Sequence, residues 1–255
     1  MAKKSLGQHW LQDEQALQQI VAAAELKSSD NVLEVGPGKG VLTRALADTK
    51  ANVTAIEYDS DLIPALKMEF DQLDNVAVVS GDIRNFDLRN LPSSYKVVAN
   101  IPYYLTSYLV KLFLQAESKP MLMVLLVQKE VAERLCANPG DMSVLAVSAQ
   151  LYSDVEYVAT VPASSFRPPP KVDSAIVKLV VRDKPMFDID DKAFFRLVKA
   201  GFGEKRKMLR NSLSGGLGLE QAKVDDLLAK TELPNTARAQ ELSLEQWYKL
   251  YKQLN

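Results

Sequence analysis

Short apolar runs alternate with stretches of helical periodicity along the first half of this 255-residue chain. The runs are rich in Val, Leu and Ile, as buried strands are, and they lie at residues 32–35, 53–56, 76–79, 97–99 and 122–127. Helices are predicted from an N-cap at Asp13 to about residue 26, and then at residues 41–47, 62–70, 105–114 and 129–135. Apolar strands followed by helices form a parallel sheet that is covered on both faces. The sequence therefore predicts an α/β fold.

The pattern changes beyond residue 140. Residues 144–151 are apolar and fit either a helix or a strand, whereas residues 155–161 and 175–181 alternate enough to predict two added strands. We expect these strands to form an antiparallel edge of the sheet. Between them, the proline-rich residues 164–171 predict a rigid, extended loop.

Two domains are predicted, residues 1–183 and residues 184–255, with a linker at residues 183–185. The second domain is expected to be small and all-helical, with breaks at Gly215-Gly216 and at Pro234. Its predicted helices lie at residues 192–200, 205–213, 219–229 and 244–253.

Composition narrows the function classes. The chain carries a formal net charge of −1, so any nucleic-acid site must come from a local cluster of positive charge. The single cysteine, Cys136, excludes an internal disulfide, and together with the single histidine, His9, it leaves no zinc cluster and no Ser-His or Cys-His catalytic pair of familiar form. No apolar segment follows Lys3 and Lys4 as in a secretory signal, and the apolar run at residues 121–127 is too short to cross a bilayer. We therefore expect a cytoplasmic protein without a membrane span or a bound metal.

Glycines and acidic residues follow the first three predicted strands. Gly36, Gly38 and Gly40 lie between the first strand and its helix, where glycine lets the backbone approach a ligand closely. Glu57 ends the second strand and Asp82 follows the third, at positions suited to ribose hydroxyls and to adenine. This arrangement predicts a nucleoside pocket, and the alternative is a glycine turn whose neighbouring acids form ordinary ion pairs.

The spacing of the glycines favours S-adenosylmethionine over a dinucleotide. In the dinucleotide motif G-x-G-x-x-G the third glycine comes one residue later than Gly40 does. Glu34, just before the loop, would repel a pyrophosphate, but its carboxylate suits the cationic amino group of S-adenosylmethionine.

Residues 100–103 (Asn-Ile-Pro-Tyr) follow the fourth strand and suit a flat base that carries an exocyclic amine. The side-chain oxygen of Asn100 and a backbone carbonyl near Pro102 can each accept one N–H of that amine, while Tyr103 stacks on the ring. An Asn-X-Pro sequence is also common in simple turns, and this second interpretation stays open for the tetrapeptide alone.

Five sequence blocks together resemble the rRNA adenine N6-dimethyltransferases, in particular their KsgA type, which is related to the Erm enzymes. The blocks lie at residues 6–11, 34–40, 100–103, 166–174 and 206–211. The resemblance covers nearly the whole chain. It implies a Rossmann-like S-adenosylmethionine-dependent methyltransferase domain followed by a helical RNA-recognition domain.

The resemblance also implies roles for individual residues. The residues implied to line the S-adenosylmethionine pocket are His9, Leu11, Gly36, Glu57, Asp82 and Asn100. His9 and Trp10 depart from the Gly-Gln-Asn-Phe-Leu block of the family, so a packing role for His9 is an equal alternative. The residues implied to act on the target base are Asn100, Pro102, Tyr103 and Phe166. Phe166 is expected to stack on the base, or alternatively to anchor its loop in the core, whereas Tyr104 is expected to be packed.

The implied reaction is direct methyl transfer to the N6 amines of two adjacent adenines in a hairpin loop near the 3′ end of small-subunit rRNA. The partner is the assembling small ribosomal subunit, and the protein is expected to be a monomer. The densest positive cluster, predicted to bind phosphate, consists of Lys199, Lys205, Arg206, Lys207 and Arg210; Arg167, Lys171, Lys3 and Lys4 could add charge near the pocket. The alternatives are an Erm-like large-subunit methyltransferase, a non-catalytic assembly factor and, less compatible with the glycine spacing, a nicotinamide dehydrogenase.

Overall fold

The computed structural model describes residues 8–204 and 207–254. The predictions for Lys3, Lys4, Lys205 and Arg206 lie outside these residues. The chain divides into two compact units, Met1–Glu133 with Ser153–Asp183, and Arg134–Tyr152 with Lys184–Asn255. One boundary of these units coincides with the predicted division after residue 183. The segment Arg134–Tyr152, which we expected in the first domain, belongs to the second unit.

The first unit is built on a seven-stranded sheet with the order β4-β3-β2-β5-β6-β9-β7. Among the described residues the strands are β1 (Trp10–Leu11), β2 (Asn31–Val35), β3 (Asn52–Glu57), β4 (Val76–Ser80), β5 (Lys96–Asn100), β6 (Leu122–Gln128), β7 (Ser153–Val161), β8 (Phe166–Arg167) and β9 (Ser174–Val181). Strands β2 to β6 pair in parallel, and β9 runs antiparallel to both β6 and β7. The α/β prediction and the antiparallel edge are therefore confirmed.

The apolar character of the strands explains where the core lies. Strand β6 is buried from Leu122 to Val127, because helices cover both faces of a parallel sheet. The helices are α1 (Glu14–Ala24), α2 (Val41–Asp48), α3 (Ile63–Phe70), α4 (Thr106–Gln115), α5 (Lys129–Leu135), α6 (Val144–Tyr152), α7 (Asp191–Phe202), α8 (Leu209–Leu217), α9 (Gln221–Lys230) and α10 (Leu244–Leu254). None of the helices in the described part of the chain is long and apolar enough to cross a membrane.

Helix α1 begins as predicted and presents one face to the core. The Asp13 carboxylate accepts the Ala16 N–H at 3.1 Å, which satisfies a donor of the first turn. Ala16, Ile20 and Ala24, spaced four residues apart, form its buried face.

The segment before α1 contains a strand that the sequence did not predict. Trp10 and Leu11 of β1 pair antiparallel with Arg167 and Phe166 of β8. Phe166 and Arg167 of the proline-rich segment are thus extended, as predicted, and they fix the N-terminal arm, whereas Ser164 and Ser165 lie in a short 3-10 helix at Ala163–Ser165. We use "arm" for residues 8–11.

In the second unit, the apolar residues 144–151 form helix α6 and not a strand. The predicted break at Gly215-Gly216 is wrong, because α8 passes through both glycines and ends at Leu217. The reason is close packing. A Cβ atom on Gly216 would lie 2.7 Å from Cβ and 2.9 Å from Cα of Ala200 in α7, so glycine there lets the two helices approach.

The two glycines give a matched test of this packing. We expect Gly216→Ala to lower the free energy of unfolding by roughly 1–3 kcal/mol, because the new methyl group meets the backbone of α7. The control Gly215→Ala meets no atom within 4 Å, and alanine should raise stability there by roughly 0.5–1 kcal/mol. Urea unfolding of both variants measures the difference, and shifts of equal sign would contradict the packing account.

Candidate active site

A cleft opens at the carboxyl ends of β2, β3, β4 and β5, where the strand order reverses direction. It encloses about 1160 Å³ including its open mouth. All six residues implied to bind S-adenosylmethionine line it: His9, Leu11, Gly36, Glu57, Asp82 and Asn100. The structure therefore brings together residues that lie far apart in the sequence.

The glycine loop that follows β2 has the backbone conformation that its sequence requires. Gly36, Gly38 and Gly40 all have positive φ, at 71°, 62° and 76°. These values are unfavourable for other residues, so the loop depends on glycine. At Gly40 a side chain is also excluded by space, because a Cβ would lie 2.8 Å from the Phe70 ring.

Glu57 ends β3 and is almost completely buried. Its Oε2 accepts the Gly38 N–H at 2.9 Å and its Oε1 accepts the Asp59 N–H at 2.7 Å. These two bonds fix the plane of the carboxylate. Each oxygen keeps a lone pair for a further donor such as a ribose hydroxyl.

Asp82 follows β4 and is held by Arg84. The guanidinium donates to both carboxylate oxygens, with Nη2 to Oδ2 at 2.6 Å and Nε to Oδ1 at 3.0 Å. These hydrogen bonds lower the pKa of Asp82 below its ordinary value, so the group is an anion with a fixed orientation. It can accept an amine N–H of an adenine in the cleft.

Asn100 ends β5, and the arm determines how its amide is oriented. The amide Nδ2 donates to the backbone carbonyl of His9 at 3.2 Å. This leaves Oδ1 as a hydrogen-bond acceptor. In the turn that follows, the Pro102 carbonyl accepts the Leu105 N–H at 2.9 Å and keeps one lone pair.

Tyr103 lines the cleft, and its ring is positioned by a hydrogen bond between its hydroxyl and Ser174 Oγ at 2.8 Å. Burial raises the pKa of the Tyr103 hydroxyl, so the ring is uncharged at neutral pH.

Phe166 does not line the cleft. It is only 2% exposed and belongs to the core cluster that also contains Leu11 and Ile20. This position contradicts the expectation that Phe166 stacks on the base, and it matches the alternative that Phe166 anchors its loop. The side chain packs inward because β8 pairs with β1 above the apolar face of α1.

Tyr104 and Tyr58 lie at the mouth of the cleft. The expectation that Tyr104 is packed is wrong, since its side chain is 61% exposed. Tyr58, which is 59% exposed, was not singled out from the sequence. Its position directly after Glu57 was the available signal, because a residue at the end of a parallel strand borders the ligand cleft.

Glu34 is an ionisable group at the base of the cleft. Its side chain is 1% exposed, and Oε2 has no hydrogen-bond partner among the described residues. Burial raises its pKa to about 8, and the nearby Glu57 carboxylate adds to the shift. A buried carboxyl with an unpaired oxygen fits a cationic donor, such as the amino group of S-adenosylmethionine, and does not fit a pyrophosphate.

Much of the positive charge predicted to bind phosphate is paired within the protein. Arg210 forms two hydrogen bonds with Asp225, and Lys207 lies 2.5 Å from Glu204. Lys199, Arg167 and Lys171 are exposed. No group of three or more His, Cys, Asp or Glu side chains in the described ranges is arranged to hold a metal ion.

Comparison with known proteins identifies the family. The family model described as "Ribosomal RNA adenine dimethylase" matches residues 1–255. The chain belongs to the ribosomal RNA adenine dimethylase family. Several curated relatives are named "Ribosomal RNA small subunit methyltransferase A". That of Dehalococcoides mccartyi is 43% identical over 96% of this chain and 86% of its own length. That of Synechocystis sp. is 42% identical over 97% of this chain and 94% of its own length.

Two solved structures that are at least 30% identical to this chain have the same architecture. A dimethyladenosine transferase from Plasmodium falciparum is 31% identical, with a TM-score of 0.83 over 97% of this chain and 98% of its own. The 23S rRNA methyltransferase ErmE is 30% identical, with a TM-score of 0.78 over 96% of this chain and 99% of its own. The Rossmann-like methyltransferase fold implied by the sequence blocks is thus confirmed.

The buried position of Glu34 predicts a pH dependence of stability. Because its pKa is higher in the folded than in the unfolded protein, the folded state binds more protons between about pH 4.5 and pH 8, and stability falls as pH rises through that window. We expect Glu34→Gln to remove this loss, which is on the order of 1.4 kcal/mol per pH unit at most. Urea unfolding at pH 5 and pH 8 measures it, with the exposed Glu130→Gln as control. Parallel pH profiles for wild type and Glu34→Gln would contradict the assignment.

Proposed function

We propose that this protein transfers methyl groups from S-adenosylmethionine to N6 of two adjacent adenines in the 3′-terminal hairpin loop of small-subunit rRNA, during assembly of that subunit. The observation that carries the proposal is the amide of Asn100. Its nitrogen is engaged by the His9 carbonyl, so its oxygen is left to accept a hydrogen bond in a cleft that also contains the Tyr103 ring. An acceptor beside an aromatic ring suits an exocyclic amine.

The cleft has donors and acceptors that match each part of S-adenosylmethionine, which supplies the methyl group as a sulfonium. Glu57 would accept the ribose hydroxyls, and Asp82, fixed by Arg84, would accept the adenine amine. Glu34 has an unpaired oxygen for the cationic amino group. The glycine loop gives close backbone approach.

The residues of the chain act on the adenine by orienting its amine. The N6 lone pair is delocalised into the ring and is a weak nucleophile. Hydrogen bonds from N6–H to Asn100 Oδ1 and to the carbonyl in the Pro102 turn favour a pyramidal nitrogen, whose lone pair then points at the methyl group. Tyr103 holds the flipped base by stacking, which is worth ~1–3 kcal/mol. No charged base is needed, and Cys136 takes no part.

The names of the relatives favour the small subunit as substrate. The curated relatives at about 42% identity carry small-subunit names, whereas the large-subunit enzyme ErmE is 30% identical. The fold alone does not exclude the large subunit, because ErmE matches this chain with a TM-score of 0.78. We propose that residues 184–255 contribute to RNA recognition through exposed cations such as Lys199 and that the protein acts as a monomer.

Mapping the modified bases tests this function. Purified protein and labelled S-adenosylmethionine are incubated with unmethylated small subunits, with large-subunit RNA or with buffer, and stops are mapped by primer extension. Dimethylated N6 cannot pair normally, so we expect stops at two adjacent adenines near the small-subunit 3′ end. Stops confined to large-subunit RNA would assign the Erm-type activity, and absence of label despite cofactor binding would favour the assembly factor.

The role of Asn100 predicts a separation of turnover from cofactor binding. We expect Asn100→Ala to lower kcat at least 100-fold, because the amine loses the acceptor that orients it. The affinity for S-adenosylhomocysteine, measured by calorimetry, should change less than 10-fold. A variant with near-normal kcat would remove the proposed role.

Glu57→Ala is the matched control for this measurement, because its carboxylate lines the same cleft but would hold the ribose. It should weaken S-adenosylhomocysteine binding more than Asn100→Ala does. Unchanged affinity would mean that the ribose lies elsewhere.

A further inference from the structure

The seven-stranded sheet ends in two edge strands, β7 and β4, which differ in how they are protected. In β7, Asp154 and Glu156 are exposed, and the register with β9 shifts after Tyr157 as in a bulge. Charges and bulges are the features by which natural sheets discourage the addition of a further strand. β4 has the sequence Val-Ala-Val-Val-Ser, with no charge, no proline and an unbroken register with β3. It is therefore the edge of this sheet at which another strand can be added.

The main-chain groups of β4 alternate between β3 and the open edge. The Gly81 N–H, directly after the strand, bonds to the Glu57 carbonyl of β3. Alternate residues of a strand direct their main-chain groups to the same neighbour. Every second residue before Gly81 therefore faces β3, and Val78 and Ser80 face outward. Within the described residues no strand pairs with them on that side.

Side chains of an added strand would meet a different surface on each face of the sheet. On one face, α3 packs against β4, and its Met68 side chain is 80% exposed. Leu73, between α3 and β4, is also partly exposed. On the other face, a groove of about 470 Å³ lies at the amino ends of β2, β3 and β4. An added strand therefore needs apolar side chains on one of its faces.

The groove offers hydrogen-bond acceptors to the opposite face of such a strand. The Asn75 amide nitrogen donates to two backbone carbonyls at 3.0 and 2.9 Å, and the Asn31 amide nitrogen donates to a third at 3.2 Å. The amide oxygens of both side chains are left as acceptors. The carboxylate of Asp74, which is exposed, lines the same groove. A guanidinium group, which has five N–H donors and no acceptor, fits this set.

The charge around β4 favours a protein partner over RNA. Residues 61–80, which form α3, β4 and the turns beside them, contain four acidic residues and one lysine. A negative surface repels a phosphate backbone and attracts a basic peptide.

We propose that β4 is a docking edge for an extended, arginine-containing segment of a partner protein, which adds to the sheet as a further strand. Its main chain bonds to Val78 and Ser80, its apolar side chains lie beside Met68, and its arginines enter the groove at Asn75 and Asp74. The groove lies at the opposite ends of the strands from the active-site cleft. The inference is therefore independent of the proposed function.

A designed peptide tests strand addition. The probe is a capped, fluorescein-labelled hexapeptide of alternating arginine and valine, and its binding to the full chain is measured by fluorescence anisotropy. We expect it to bind at least roughly 10-fold more tightly than a peptide of alternating glutamate and valine. Val78→Pro removes an outward N–H at an edge position, where proline is tolerated. It should weaken binding of the arginine peptide at least roughly 5-fold while circular dichroism stays unchanged.

Two matched charge removals test the location of the site. Asp74→Asn removes an exposed carboxylate at the groove, and Glu156→Gln removes one from the other edge strand. We expect Asp74→Asn to weaken peptide binding roughly 2- to 5-fold and Glu156→Gln to leave it unchanged. Neither variant removes a buried contact, so both should fold.

Four results would overturn the inference. If the arginine and glutamate peptides bind equally, or neither binds at about 1 mM, the edge does not select a basic segment. If Val78→Pro binds like wild type, the peptide does not add as a strand. If Asp74→Asn and Glu156→Gln have equal effects, the attraction is to the overall charge. If a single-stranded RNA hexamer binds more tightly than the peptide and Val78→Pro weakens that binding, the occupant is RNA.

Discussion

The cleft exists because two neighbouring parallel strands pair only at their start. β2 and β5 are joined at Val32 with Lys96 and at Leu33 with Val97. Beyond these pairs β2 continues to pair with β3, and β5 continues to pair with β6. Gly36 N–H bonds to Ile56 of β3, and Ile101 N–H bonds to Leu126 of β6. The gap that opens between them separates the glycine loop from the Asn100 turn, so both can face one ligand.

The electrostatics of the cleft depend on two acids at the ends of the paired strands β2 and β3. Two carboxyl groups, Glu34 and Glu57, lie close together below the glycine loop, and they are stabilised in different ways. The Glu57 carboxylate accepts hydrogen bonds from two backbone amides, whereas Glu34 has an unpaired oxygen and a raised pKa. Strongly shifted pKa values of this kind cluster at functional sites. A cationic group bound beside Glu34 would favour the ionised form of its carboxyl, so ligand binding and loss of this proton are linked.

The residues at strand ends were predictable from the sequence, and the residues fixed by long-range contacts were not. Glu57, Asp82 and Asn100 follow apolar runs of strand length, and such runs place their last residues at one edge of a parallel sheet. Whether Phe166 faces the core or the cleft depends on β8 pairing with β1, more than 150 residues away in the sequence. No local pattern reports that pairing. Gly215-Gly216 was misinterpreted for a similar reason, because the local signal for a turn was overridden by packing against α7.

The hydrogen bond between Asn100 and the arm has a consequence for when the site can work. An amide has a donor end and an acceptor end of almost the same size, and only rotation of the group distinguishes them. In Asn100 that choice is made by the carbonyl of His9, 91 positions earlier in the chain. An enzyme whose arm is displaced would lose this control, and Asn100 could then present its donor end to an amine that also donates. The arm therefore controls whether the site can accept an amine, because the acceptor polarity of Asn100 is set only while residues 8–11 are in place.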